Sequence, residues 1–280
     1  MIITGSASQT LAASLASETE HELASVAFER FPDGEQKVQI EDTVDHAIVV
    51  ASTLSDSSHV ELLQLQDAAR EAGATEVTTV IPYMGYARQD KSFQTGDPVS
   101  ARAMARALST GTDRVLTVNP HERAVCDFFD VPATPVDAAS HLATPLDSLT
   151  DPLFLAPDHG AVDLAQTVRD AYGSGEADHF EKTRHSGTDV DIEPSDAAVS
   201  GRDVVLVDDI VATGATMSES VAVLNKRGAN RVTVTCVHPL LAGTAQLQLF
   251  QAGVEAIYAT DTIERTVSAV SAAPAIAQKL

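Results

Sequence analysis

The chain is 280 residues long, enough for one large domain or two medium ones, and 44% of it is hydrophobic, so it can bury a sizeable core. With 18 basic against 40 acidic side chains it carries a formal charge of −22, which argues against nucleic acid and anionic membrane as partners, since both require clustered Lys and Arg. It holds no run of about eighteen apolar residues and no charged-then-apolar leader pattern, so a cytoplasmic protein is expected.

Strand and helix patterns alternate along the chain. Residues 1–5 read as a strand and 6–17 as a helix. Residues 23–31 and 36–40 read as two strands around Phe31-Pro-Asp-Gly-Glu35, a hairpin signal. A buried strand at 47–51, an amphipathic helix at 59–72 and a strand at 77–82 follow. The long loop 83–97 then carries Arg88 and Lys91, in a chain whose other lysines are Lys37, Lys182, Lys226 and Lys279. Next come a helix at 98–108, a strand at 114–118, Asn119-Pro-His121 and a helix at 122–129.

A second round begins with a strand at 153–156 that ends in Pro157-Asp-His-Gly160, then a helix at 162–172 and a strand at 178–184. After the strand that begins at Val204 come a strand at 231–237, a helix at 243–251, a strand at 254–259 and a terminal helix at 267–280. Such alternation with short connections implies an α/β fold with mostly parallel, doubly wound sheets. The expected division is a first domain at 1–138, a second at 139–265 and a terminal helix at 266–280 packing back on the first. Cys126 and Cys236 lie far apart without a CxxC partner, so neither a disulfide nor a zinc site is expected.

The densest chemistry lies between Val204 and Thr216. A β-branched run ends in Asp208 and Asp209, and a small-residue loop with Thr213, Gly214 and Thr216 opens a helix. The threonine hydroxyls, a glycine that admits close backbone approach and the free N–H groups of a helix start make a cradle for a phosphate monoester. Two carboxylates, which only accept hydrogen bonds, suit the vicinal hydroxyls of a sugar. The implied ligand is a sugar phosphate.

This stretch resembles the phosphoribosyl-diphosphate signature of the type I phosphoribosyltransferase superfamily. The series Phe31-Pro-Asp-Gly-Glu35, Tyr86-Ala-Arg-Gln-Asp-Lys91, Asn119-Pro-His121 with Phe128-Phe129, Pro157-Asp-His-Gly160, Lys182-Thr-Arg184 and the phosphate loop resembles the ribose-phosphate diphosphokinase family, in its archaeal form, across nearly the whole chain. The resemblance implies two tandem phosphoribosyltransferase-like domains and transfer of the diphosphoryl group of ATP to ribose 5-phosphate. It implies ATP contacts at Phe31, Asp33, Glu35, Arg88 and Gln89, the first three reaching a neighbouring subunit of a homo-oligomer. It also implies ribose 5-phosphate contacts at Asp208, Asp209, Thr213, Gly214 and Thr216, Mg2+ at His121 and Asp158, and catalytic cations at Lys182 and Arg184.

The chain departs from bacterial and mammalian relatives at Asn119, where they usually carry Asp, at Ala212, where they carry an acidic residue, and at Ser92-Phe93, where further charges stand. Two other readings stay open on the residues alone: a phosphoribosyltransferase that consumes the same diphosphate, and a non-catalytic sensor.

The acidic, lysine-poor composition reads as adaptation to molar salt, where a Debye length of roughly 3 Å at 1 M screens self-repulsion. The expected outcome is a melting temperature that climbs as potassium chloride is raised from about 0.1 M to about 1 M. A melting temperature unchanged over that range would rule the adaptation out.

Overall fold

The buried β-branched runs and amphipathic stretches form two units in the computed structural model, which describes residues 1–184, 190–194 and 197–280, with backbone alone for 182–184 and 190–194. Unit 1 is Met1–Asp137 with Asp261–Glu264 and Ser271–Leu280, and unit 2 is Ala138–Thr260 with Arg265–Val270.

In unit 1 the order is β1 (Ile2–Thr4), α1 (Gln9–Glu18), β2 (Val26–Arg30), β3 (Gln36–Ile40), β4 (His46–Val50), α2 (Asp56–Glu71), β5 (Glu76–Ile81), α3 (Ser100–Leu108), β6 (Arg114–Val118) and β7 (Ala133–Val136). In unit 2 it is β8 (Leu153–Ala156), α4 (Val162–Tyr172), β9 (Glu176–Arg184), β10 (Val190–Pro194), β11 (Asp203–Ile210), α5 (Ala215–Lys226), β12 (Arg231–His238), α6 (Ala245–Ala252), β13 (Ala256–Thr260) and β14 (Ser268–Val270). The two orders coincide element for element, and so do the parallel sheets, β1-β4-β5-β6-β7 and β8-β11-β12-β13-β14. The halves differ at the hairpin. β2 and β3 form a separate two-stranded sheet, whereas β9 joins the main sheet beside β8 and carries β10 antiparallel.

Strands covered on both faces must be apolar along their whole length. Ala47 to Val50 of β4 and Val204 to Val207 of β11 are accordingly buried. The first core packs Val49, Val77 and Ile81 against Leu62, Leu65 and Leu108, and the second packs Leu155, Leu206 and Val234 against Val221, Leu224 and Leu249. Both cysteines are buried free thiols. Among the described residues no helix is long and apolar enough to cross a membrane.

Several elements differ from the sequence expectation. The helix expected at 122–129 is a 3-10 helix, Arg123–Phe128, because Phe129 is already extended on the way into β7 and too few residues remain for α-helical turns. The single helix expected at 267–280 is instead the edge strand β14, paired through Ala259 with Ser268 and Thr260 with Val270, and a short helix α7 (Ala273–Ala277). Pro274 in the first turn explains the fresh start, since proline lacks the N–H that a continuing helix needs. The last residues return to unit 1, where Arg114 donates to the Leu280 carbonyl at 3.1 Å and Glu264 accepts from Thr10 and Leu11 at the start of α1.

At the amino end of β11, Asp203 is 1% exposed and accepts from the Thr150 N–H at 2.6 Å, the Asn230 amide at 2.7 Å and Arg231 at 2.7 Å. Burial alone would raise its pKa, but the Arg231 guanidinium and the two N–H donors outweigh that and hold it below the usual carboxylate value. Asp203→Ala strands three donors and should cost about 2–4 kcal/mol in urea unfolding at pH 7. Because the native pKa is depressed, the wild-type advantage should be present above about pH 4 and disappear as the solution is acidified below it. A variant as stable as wild type at pH 7 would remove Asp203 from this role.

Candidate functional site

Parallel strands place all their carboxyl ends on one edge, and ligands of open α/β sheets bind there. In unit 2 this edge gathers Asp158 after β8, Asp208 and Asp209 at the end of β11, and the loop that opens α5. Asp158 accepts from the Gly160 N–H at 3.0 Å, while Asp208 and Asp209 accept from the N–H groups of Asp209 and Ile210 at 2.9 and 2.8 Å. The loop is braced from below by the segment after β12. Leu241 donates to the Val211 carbonyl and Ala242 to that of Ala212, each at 2.9 Å. Gly214 has φ +76, and a Cβ there would sit 3.3 Å from the Ala245 carbonyl, so both conformation and space ask for glycine. Thr213 and Thr216 are exposed beside it.

Helix α5 starts at this loop with no side-chain cap and no acidic residue in its first turn. Its N-terminal N–H groups and their partial positive charge therefore have no side-chain acceptor within the helix start and would suit an anion. The equivalent helix of unit 1 is the opposite case. Ser55 and Ser58 form a reciprocal capping box at the start of α2, and Asp56 occupies its first turn. That helix end is satisfied from within.

Electrostatics separate the carboxylates further. Asp208 is pushed up to about 8, first by burial, then by the charge and hydrogen-bonded carboxyl of Asp209, with a smaller contribution from Asp158. A cation or sugar hydroxyls beside the Asp208–Asp209 pair would relieve the repulsion. No group of three or more His, Cys, Asp or Glu is arranged to hold a metal by itself among the described residues.

In unit 1 the carboxyl ends of β5 and β6 carry Arg88, Gln89 and His121. Arg88 is exposed on the loop after β5. Gln89 is half-buried, with its side-chain oxygen accepting from Ser100 and its N–H donating to the Tyr86 carbonyl at 3.0 Å. His121 is exposed after β6, next to Asn119, whose amide donates to Asp137 at 2.8 Å. Phe31, Asp33 and Glu35 stand exposed on the β2–β3 turn, closed by Phe31 N–H to the Glu35 carbonyl at 2.8 Å. Lys182 and Arg184 end β9, and their side chains lie outside the described residues.

Sequence comparison agrees with this duplicated plan. Residues 1–111 match the N-terminal domain of ribose phosphate pyrophosphokinase, and residues 138–250 match the phosphoribosyl transferase domain. Ribose-phosphate pyrophosphokinase of Halobacterium salinarum is 62% identical over 100% of both chains. The chain belongs to the ribose-phosphate pyrophosphokinase family. The family's enzyme from Methanosarcina acetivorans is 47% identical over 100% of this chain and 98% of its own. The crystal structure of phosphoribosylpyrophosphate synthetase from Mycobacterium smegmatis superposes with a TM-score of 0.83 at 27% identity, covering 100% of this chain and 96% of that one. As a family member the chain is an enzyme of mostly parallel α/β architecture with two phosphoribosyltransferase-like domains.

Sequence reasoning had passed over Asp137, Asp56 and His59, none of which sits in a recognisable motif. Their signal is spatial: each contacts a loop residue far away in the chain, Asp56 and His59 both meeting Tyr86.

A carboxyl raised by folding stabilises the fold while protonated and loses that contribution as pH passes its native value. The ligand-free protein should therefore lose stability between about pH 4 and pH 8, by an amount on the order of 1 kcal/mol or more. Asp208→Asn, which stays neutral, should melt higher than wild type at pH 8, with the difference shrinking steadily as the pH falls toward about 4. Parallel melting profiles for the two proteins across this range would show that Asp208 ionises normally.

Proposed function

We propose that the protein transfers the diphosphoryl group of ATP to the 1-hydroxyl of ribose 5-phosphate, giving 5-phosphoribosyl 1-diphosphate and AMP for nucleotide synthesis in the cytoplasm. The observation that carries this reading is the uncapped start of α5 directly behind the Asp208–Asp209 pair, a phosphate cradle adjoining a hydroxyl-binding wall.

In this reading residues 139–265 form the ribose 5-phosphate side. Thr213, Gly214, Thr216 and the α5 N–H groups hold the 5-phosphate, and Asp208 and Asp209 accept from the ribose hydroxyls. Residues 1–138 form the ATP side, with the Arg88 guanidinium on phosphate oxygens and Gln89 beside it. The exposed Phe31, Asp33 and Glu35 are free to reach the adenine held by a neighbouring copy, which would make the working enzyme a homo-oligomer.

The 1-hydroxyl oxygen attacks the β-phosphorus in line. The bond from that phosphorus to the oxygen bridging the α- and β-phosphates breaks, AMP leaves with the bridging oxygen, and the hydroxyl proton passes to solvent. Lys182 and Arg184 stabilise the charge that builds on the transferring group. His121 and Asp158 would hold Mg2+, the latter beside the crowded carboxylates of Asp208 and Asp209. The ion supplies charge neutralisation on the triphosphate when bound. Positioning and electrostatics carry the rate.

The test is to mix the protein with ATP, ribose 5-phosphate and magnesium chloride in molar potassium chloride and to follow AMP and phosphoribosyl diphosphate together. Equal amounts of both, formed only with all components present, are expected. Lys182→Ala should lower turnover by about two to three powers of ten with folding intact. Near-normal turnover in that variant would refute the role of Lys182, and absence of both products from the folded wild type would refute the activity.

A further inference from the structure

The loop that bears Arg88 and Gln89 leaves β5 through Tyr83-Met-Gly-Tyr86, and this exit is held from several sides. Tyr83 N–H donates to the Ser52 hydroxyl at 3.1 Å, Thr53 N–H to the Tyr83 carbonyl at 2.9 Å, and Gly85 N–H to the Thr53 hydroxyl at 2.9 Å. A Cβ on Gly85 would lie 2.2 Å from the Thr53 carbonyl, so no other residue fits that close approach.

Tyr86 follows with φ +63, a left-handed conformation that a bulky side chain keeps only where its surroundings impose it. Two groups on the first turn of α2 meet its side chain. The Tyr86 phenol donates to the Asp56 carboxylate, and the His59 ring meets the tyrosine ring edge-on, with centroids 5.5 Å apart and planes at 63°. The Tyr86 carbonyl then accepts from Gln89 N–H at 3.0 Å, which closes the turn that presents Arg88.

His59 is an expensive choice for a helix face. It is 6% exposed, and burial lowers its pKa, so the ring is neutral. Its Nδ1–H donates to the Ser55 carbonyl at 3.1 Å, an oxygen that already accepts the His59 backbone N–H. Its Nε2 is buried without a hydrogen-bond partner among the described residues. A leucine would fill the same apolar position without orphaning a nitrogen. What the imidazole adds is an aromatic edge against Tyr86.

We infer that Asp56, His59 and Tyr86 form a clamp that fixes the 82–89 loop in the conformation presenting Arg88 and Gln89 to the nucleotide. The three are positioning residues, and the inference rests on the reading of that loop as the ATP-binding one. The capping box of Ser55 and Ser58 holds the clamp's base still. The helix end that cradles a phosphate in unit 2 is thus used in unit 1 to hold the chain's own loop.

The test is calorimetric titration of the full-length protein with ATP and, separately, with ribose 5-phosphate, alongside melting curves. Tyr86→Phe and Asp56→Ala should each weaken ATP binding about three- to tenfold and leave ribose 5-phosphate affinity unchanged. Asp56→Asn, which keeps an acceptor, should stay within about twofold of wild type. His59→Leu should melt higher than wild type yet bind ATP more weakly, a split that a purely structural histidine would not produce. The clamp is overturned if Tyr86→Phe and Asp56→Ala bind ATP as wild type does, or if affinities for both substrates fall together with the melting temperature. Wild-type protein that binds ATP but forms no phosphoribosyl diphosphate would sink the activity assignment, while the ATP titrations of the variants would still decide the clamp.

Discussion

The N–H groups at a helix start must find acceptors, and the two halves of this chain solve that requirement in opposite ways. At α5 no side chain caps the helix, the first turn has no carboxylate, and Gly214 begins it in the left-handed conformation, at φ +76. At α2 the Ser55–Ser58 box satisfies the donors and Asp56 adds a negative charge where an anion would otherwise sit. The element order and strand order are otherwise the same, so the division of labour comes from a handful of residues at one turn rather than from different folds.

Charge is distributed in keeping with that division. Among the described residues Asp203 and Asp261 are the buried carboxylate side chains, and each has donors: three groups on Asp203, and the Ala272 N–H on Asp261 at 2.8 Å. The remaining acidic residues reach water, where salt screens them. Asp208 is the exception in kind. It is half-buried beside Asp209 and within electrostatic reach of Asp158, with no basic group among the causes of its shift, so its proton is retained to about pH 8. Hydroxyl donors or a cation placed at such a pair would relieve the repulsion that raises it.

The sequence made the centre of each half legible because central parallel strands are apolar along their length and end abruptly in polar residues, as Val207 does before Asp208. The hairpin turn was equally plain from Pro32-Asp-Gly34, and Gly34 takes φ +94 there. The edges were not legible. β7 contains Pro135 and β14 is only Ser268-Ala-Val270, and such strands exist because a neighbour offers a free edge, not because of their own propensity. The Val267–Leu280 stretch looked helical for the same reason, since its small residues tolerate a helix until β13 recruits the first part. Of the site, the loop between β11 and α5 was readable as a local motif. The Tyr86 contacts were not, because Asp56 and His59 sit thirty and twenty-seven residues before it and carry no spacing that announces them.

The departure at Asn119 can now be given a physical cause. Asn119 has φ +35, a conformation that asparagine tolerates better than most residues, and its amide donates to the Asp137 carboxylate at 2.8 Å. An aspartate at 119 would bring a second carboxylate to that distance and would need a cation or a proton between them. With Asn119 the turn that presents His121 carries one carboxylate rather than two, and a charge-assisted hydrogen bond joins the ends of β6 and β7.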